Sequence, residues 1–480
     1  MNSSIISYIE MHDKKHELNS KDFGIIHIKI PKVEIINSPL AIYINIDRSG
    51  SMDDMCSDGQ TKMTHLKHTI RNIINLFSTY TDVNVFVCIV AFNSTVEELT
   101  KGFELITTEN VEYFYKIINN IRPKGTTNIE LSLKNALIRI SEFIIINPIV
   151  CPIHIQVTDG EASSGETEIH ELLKSINPSY KNIFIGFGES HDSYLLSRFA
   201  EYGGIGKSEY RFIDQIENSW MVCGEILYNI LYPYTTEGLS INMIEDENGN
   251  SMKIYNWITN EWVSKMIIPP LSGDCEKIYH IQCSNQIEYI CQAELVLCDG
   301  NIENIYCMPN ASDLTKYMFR QKTLELLYES RQLETQKYEL KEKNKNNIMI
   351  NKNNKNNRVN KDIIELRSRL LNLFKILQEY WCNLIIVQDK IFIKILMDDV
   401  HIASKTLGTE HGYMYSCSRQ LSQGSQFTYN VGGTNDTFIT EHYDDIGGDG
   451  YITSPSTKSP YNNVMILEMM QKVYNDEVKL

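Results

Sequence analysis

Asp47, Ser49 and Ser51 stand at alternate positions in the stretch AIYINIDRSGSM, Ala41 to Met52. Their side chains offer one carboxylate and two hydroxyls, hard oxygen ligands that suit Mg2+ or Mn2+ rather than zinc. The residues just before them, Ile42-Tyr43-Ile44-Asn45-Ile46, are β-branched and aromatic and predict a buried strand. Such a strand delivers the oxygens to the loop at its carboxyl end, where Gly50 lets the backbone turn sharply. A pattern this short arises by chance, so further ligands have to come from elsewhere in the chain.

The surrounding elements predict where that loop sits. Leu66, Ile70, Ile73, Ile74 and Phe77 recur at helical spacing across Thr61 to Tyr80. Asn84 to Phe92, NVFVCIVAF, is a continuous apolar strand of the kind found in a sheet covered on both faces. Helices over Val111 to Ile121, Asn128 to Ile146, Glu166 to Ile176, Ser193 to Tyr202 and Glu217 to Leu231 then alternate with strands. Those strands run over Ile153 to Val157, Asn182 to Phe187 and Glu209 to Ile213. The alternation predicts an α/β fold with a doubly wound, mostly parallel sheet. In such sheets ligands gather outside the carboxyl ends of the strands, where strand order reverses. The Asp47 loop and the loop of Thr158-Asp159-Gly160-Glu161 both leave such ends.

The D-x-S-x-S pattern resembles the metal-ion-dependent adhesion site (MIDAS) of von Willebrand factor A (VWA) domains. Gly125-Thr126-Thr127-Asn128-Ile129 and Val157-Thr158-Asp159-Gly160-Glu161 follow in that family's order and spacing. The resemblance covers roughly Ile25 to Tyr232. It implies a Rossmann-like sheet and a site of Asp47, Ser49, Ser51, Thr127 and Asp159. It implies direct metal contacts from Ser49, Ser51 and Thr127, with Asp47 and Asp159 acting through water. It also implies a protein partner, because a cation with few anionic ligands stays electrophilic and can take a carboxylate oxygen. Arg48 fills a free position and Thr126 stands where Gly is commoner; neither removes an oxygen. The helix ASDLTKYMFRQKTLELLYESRQLE and the ending SPYNNVMILEMMQKVY further resemble VWA proteins of plants and protists. These carry a β-rich segment, also found beside Hint domains, and then helices. Many plant members add a RING finger and act as ubiquitin ligases; this chain has no Cys-x-x-Cys pair, so that activity does not carry over.

At 480 residues the chain is long enough for several domains. The expected organisation is an N-terminal segment over 1–36, whose FGIIHIKI strand joins a β-sandwich, then a VWA domain over 37–232. A small β-sandwich over 233–310 and an amphipathic helix over 311–342 follow. Then come a disordered Lys/Asn-rich linker (343–361), a helical segment (362–407) and a polar tail with a short terminal helix (408–480). A net charge of −16 argues against a protein that coats nucleic acid. The start MNSSIISYIEMHDKKHELNS lacks the basic and apolar regions of a signal peptide. No run reaches the roughly 18 apolar residues of a membrane span. The expectation is an intracellular, cytoplasmic protein whose 11 cysteines are reduced thiols. The stripe Leu366, Leu370, Leu373, Leu377 and Trp381 suits either packing within the chain or self-association.

Other signals point away from chemistry. Gly204-Ile205-Gly206-Lys207-Ser208 resembles a phosphate loop, but Glu201 stands where the pattern needs Gly. Gly432-Gly433-Thr434-Asn435 copies the Thr127 motif with no element to position it, and Asp444 to Gly450 lacks EF-hand spacing. Cys275, Cys283, Cys291, Cys298 and Cys307 are too widely spaced for a usual zinc site and read as core thiols. The sequence thus predicts a non-enzymatic interaction module. The competing classes are a metal-assisted hydrolase with Glu161 as base, and an assembly protein with a vestigial metal site.

Overall fold

Two strands rich in isoleucine begin the chain in a computed structural model, β1 (Ile6–Met11) and β2 (Asp22–Lys29). The residues described are 5–13, 22–56, 59–160, 162–188, 191–204, 207–213, 216–235, 238–245, 252–283, 292–297, 299–345, 352–427, 461 and 463–478. The chain then alternates: β3 (Leu40–Asp47), α1 (Lys62–Thr79), β4 (Val85–Phe92), β5 (Val96–Glu98), β6 (Glu104–Leu105), α2 (Val111–Asn119) and α3 (Ile129–Ile146). It continues through β7 (Cys151–Thr158), α4 (Ile169–Leu173), β8 (Lys181–Phe187), α5 (Ser193–Tyr202), β9 (Glu209–Ile213) and α6 (Ile216–Leu231). Short strands follow: β10 (Leu239–Met243), β11 (Met252–Asn256), β12 (Glu261–Val263), β13 (Lys265–Ile268), β14 (Glu276–Cys283), β15 (Gln292–Val296) and β16 (Ile302–Cys307). Five helices follow among the described residues: α7 (Thr315–Lys345), α8 (Lys352–Asn383), α9 (Val387–Thr406), α10 (Gly412–Ser425) and α11 (Val464–Val478). Contacts divide it into two units, one of Met1–Glu34, Ser193–Glu209 and Tyr232–Phe427, the other of Ile35–Asp192, Tyr210–Leu231 and Thr428–Leu480.

The second unit is the α/β one. Its sheet runs β5-β4-β3-β7-β8-β9, with β6 also on β4. β3 lies between β4 and β7 and is parallel to both, Leu40 opposing Val85 on one side and Cys151 on the other. All of β3 is buried, which a strand covered on both faces requires. Its side chains alternate, Ile42, Ile44 and Ile46 to one face and Tyr43, Asn45 and Asp47 to the other. The second set faces α3: Tyr43 packs with Ala136 and Ile140, and Asn45 donates to the Ser132 carbonyl at 3.1 Å. From β3 the chain steps one way to β4 and afterwards the other way to β7, β8 and β9. Strand order therefore reverses at β3, as the doubly wound expectation requires, and the ends of β3 and β7 border the reversal.

The first unit differs from the expected β-sandwich. It is one continuous nine-stranded sheet, β12-β11-β14-β2-β1-β16-β15-β10-β13. β11 and β13, from opposite ends of that order, meet, and one apolar core takes residues from nearly every strand together with Leu324 of α7. A curled single sheet buries the same alternating apolar faces as two stacked sheets, so alternation alone does not distinguish them. The early strand β2 pairs along its length with β14, and β1, which the pattern did not announce, runs parallel to β16.

The helical part also departs from expectation. α8 begins at Lys352, so the second half of the anticipated 343–361 linker is helix; 346–351 lie outside the described residues. The anticipated 362–407 helix is two, broken between Asn383 and Val387. Leu366, Leu370, Leu373 and Leu377 are buried where α8 packs on α7 and α9, so this chain itself takes up the seam that suggested self-association. α10 lies in what the composition predicted to be loop, while 428–460, with the Gly432 and Asp444 motifs, are outside the described residues. Cys275 and Cys307 are free thiols and Cys283 is buried; Cys291 and Cys298 are not described. No described helix is long and apolar enough to cross a membrane.

One packing contact makes a direct prediction. A Cβ at Gly424 of α10 would lie 2.1 Å from Cδ2 of the buried Trp257, a rigid ring with little room to yield. Gly424→Ala should therefore cost about 1–3 kcal/mol despite better helix propensity. A urea midpoint at or above that of the parent would contradict this packing.

Candidate metal centre

Three loops converge at the carboxyl end of the α/β sheet. The first leaves β3 at Asp47, which is fully buried. Asp47 Oδ1 accepts the Ser49 amide at 2.7 Å, folding the chain back so that Ser49 and Ser51 point the same way, their hydroxyl oxygens 3.1 Å apart. The second loop precedes α3, whose cap is Asn128 (Oδ1 to the Leu131 amide, 2.9 Å). It carries Thr127, 3% exposed, just after Gly125, whose φ of +78° favours glycine. Gly50 donates to the Gly125 carbonyl at 3.0 Å and Lys124 to the Arg48 carbonyl at 2.7 Å, lacing these two loops together. The third leaves β7 through Thr158 and Asp159; the Thr158 hydroxyl donates to Asp47 Oδ2. Beyond it Ser163 and Ser164 both donate amides to the Thr127 carbonyl at 3.0 Å, and the Thr127 amide donates to Ser163 Oγ at 2.9 Å.

The electrostatics are set by burial. Asp47 and Asp159 are 0% and 3% exposed at the carboxyl ends of adjacent parallel strands. Burial first, then the negative charge of Asp159, raise the Asp47 carboxyl to about 7, against hydrogen bonds from Thr158 and Ser49 that pull it down. Asp159 Oδ2 lies 3.1 Å from Lys62 Nζ, and Asp159 Oδ1 has no hydrogen-bond partner among the described residues. A buried carboxylate oxygen without a donor is under-satisfied. A hard divalent cation would supply what it lacks. Among the described residues no three His, Cys, Asp or Glu side chains gather as a cage, so a cation here would depend on the hydroxyls of Ser49, Ser51 and Thr127.

A family model, von Willebrand factor type A domain, matches residues 42–142, which run from β3 into α3. The chain carries a VWA domain. Several solved structures resemble it at low identity. A von Willebrand factor type A protein from Catenulispora acidiphila is 14% identical over 68% of this chain and 81% of that one, with TM-score 0.47. The ArnB paralog VWA2 from Sulfolobus acidocaldarius is 12% identical over 88% and 99%, with TM-score 0.43. Proximal thread matrix protein 1 of the mussel byssus, solved with a zinc-occupied MIDAS motif, is 18% identical over 41% and 49%, with TM-score 0.32. A search of curated proteins gave no match.

Within the α/β unit, Asp47, Ser49 and Ser51 share one loop, Asp159 directly follows the neighbouring strand, and the Thr127 loop is hydrogen-bonded to both neighbours. Glu161, the candidate base of the hydrolase alternative, is outside the described residues. Thr158 and Ser163, which hold Asp47 and Thr127, were not picked out from the sequence, and neither was Lys62. Lys62 did leave a signal: it opens α1, where the positive end of the helix dipole disfavours a cation.

The Asp47 shift sets a pH dependence. The unfolded chain ionises Asp47 near pH 4, whereas the folded, metal-free protein holds that proton to about 7. The stabilisation is thus full below pH 4 and is lost as pH rises through 7. In EDTA, the parent should lose up to about 4 kcal/mol relative to Asp47→Asn between pH 4 and 7. A pH-independent difference between the two in urea unfolding would contradict the assignment.

Proposed function

We propose that this VWA domain is a non-enzymatic protein-binding module. Asp47, Ser49, Ser51, Thr127 and Asp159 hold a divalent cation, Mg2+ or Mn2+, and the cation takes a carboxylate from an acidic side chain of a protein partner. The observation that carries this reading is the buried pair Asp47 and Asp159 beside hydroxyl donors, with Asp159 Oδ1 still lacking a donor. Two close carboxylates that burial keeps from water attract a hard cation. Neutral hydroxyls as the remaining ligands leave it electrophilic toward an incoming anion. VWA domains are in general interaction modules, which agrees with this use of the ion. Binding needs only the cation and an open coordination position, whereas hydrolysis needs a positioned base as well. The free thiols among the described cysteines support a reducing, intracellular setting.

Calorimetric titration of Mg2+, Mn2+ and Zn2+ into the full chain tests the cation. Binding should be lost in Asp47→Ala and in Thr127→Ala while circular dichroism stays parental. A synthetic peptide bearing a single Asp should then bind in Mn2+ and be released by EDTA. Undiminished metal binding by both variants would remove the assignment, and retention of the peptide in EDTA would remove the carboxylate mechanism.

A further inference from the structure

Lys62 of α1 sits where local rules disfavour it. It stands in the first turn, at the positive end of the helix dipole, and is 6% exposed. A buried ammonium needs an anion at hand. Its Nζ lies 3.1 Å from Asp159 Oδ2 and 3.5 Å from Oδ2 of Asp54, whose side chain is 66% exposed. Packing as well as charge holds it there. The Lys62 amide donates to the Asp54 carbonyl at 3.0 Å. The stem runs so close to the backbone after β8 that a Cβ at Gly188 would lie 3.2 Å from Lys62 Cε. Gly188 has a φ of +76°, and its amide donates to the Ile213 carbonyl at 2.9 Å.

We propose that Lys62 is a tethered cation that supplies part of the charge of the divalent ion at Asp159. It holds the site together without metal, weakens the hold on the metal, and leaves a positive charge for the partner's acid to neutralise. The inference rests on the metal-binding reading of this site. Asp47 and Asp159 are buried, whereas Asp54 is exposed and screened by water. Lys62 offsets the charge of Asp159, so the metal-free site needs no ion to stay folded. With a divalent ion bound, the Lys62 charge repels the ion and adds to its pull on a carboxylate from outside. Without Lys62 both effects are lost. The metal would bind more tightly and the acid less.

Lys62→Met and Lys62→Arg in the full chain test this with Mn2+ and a synthetic Asp-containing peptide as probes. Lys62→Met should bind Mn2+ at least about tenfold more tightly than the parent and bind the peptide at least about tenfold more weakly in saturating Mn2+. Its melting temperature in EDTA should fall below the parent's and recover with Mn2+, and Lys62→Arg, which keeps the charge, should behave as the parent. Should the Met variant not fold, Lys62→Gln removes the charge and keeps most of the stem. Mn2+ affinity unchanged or weakened in the charge-removing variant, with binding still abolished by Asp47→Ala, would overturn the role of Lys62 and leave the metal centre standing. No Mn2+ binding by parent or variant would overturn both.

Discussion

Two buried carboxylates at the ends of neighbouring parallel strands are the constraint on which the α/β unit is arranged. Asp47 and Asp159 are almost completely withdrawn from water, and like charges that close cannot both ionise cheaply without a cation. The fold answers in several ways at once. Thr158 and the Ser49 amide donate to Asp47, Lys62 faces Asp159, and one oxygen of Asp159 keeps no donor among the described residues. A structural core would replace such groups with apolar ones at little cost. Their place where strand order reverses is what the proposed metal centre rests on.

The sheet matters because it makes the convergence rigid. β3 is buried along its whole length and bonded on both sides, so the position of Asp47 follows from the register with β4 and β7 rather than from its loop. The loops are then tied to each other through Gly50 with Gly125, Arg48 with Lys124 and Thr127 with Ser163. Hydroxyl ligands bind weakly one by one, so a centre built mainly on them depends on being assembled in advance.

Much of this was legible in the sequence, and the remainder has physical reasons. The β-branched run of β3, the apolar run of β4 and the helical spacing of α1 are local signals, and they gave the elements and the order of the α/β unit. Asp47, Ser49 and Ser51 are likewise local; Asp159 could be joined to them because its loop also leaves the carboxyl end of a predicted strand, and Thr127 only through a family pattern. Lys62 and Asp159 are 97 residues apart, beyond any periodicity. The continuous nine-stranded sheet was not legible because β1 and β2 join it to strands far along the chain, His27 opposing Ile278. α10 was concealed by composition: it lies in a tail rich in Ser, Gly, Thr, Asn and Tyr, yet Gln423 donates to Asp399 at 2.7 Å and Gln420 to the Trp257 carbonyl at 2.9 Å, both buried. Tertiary hydrogen bonds there satisfy what a local reading assigns to water.

The central claim is that a cation sits on the hydroxyls of this centre. Anomalous diffraction at the manganese edge, from crystals of the full chain grown with Mn2+, tests it most directly. The account predicts one strong peak about 2.0–2.3 Å from the hydroxyl oxygens of Ser49, Ser51 and Thr127, on the side where Asp159 Oδ1 lies. Ordered loops with no peak at these hydroxyls, or with the manganese held by other residues, would contradict it.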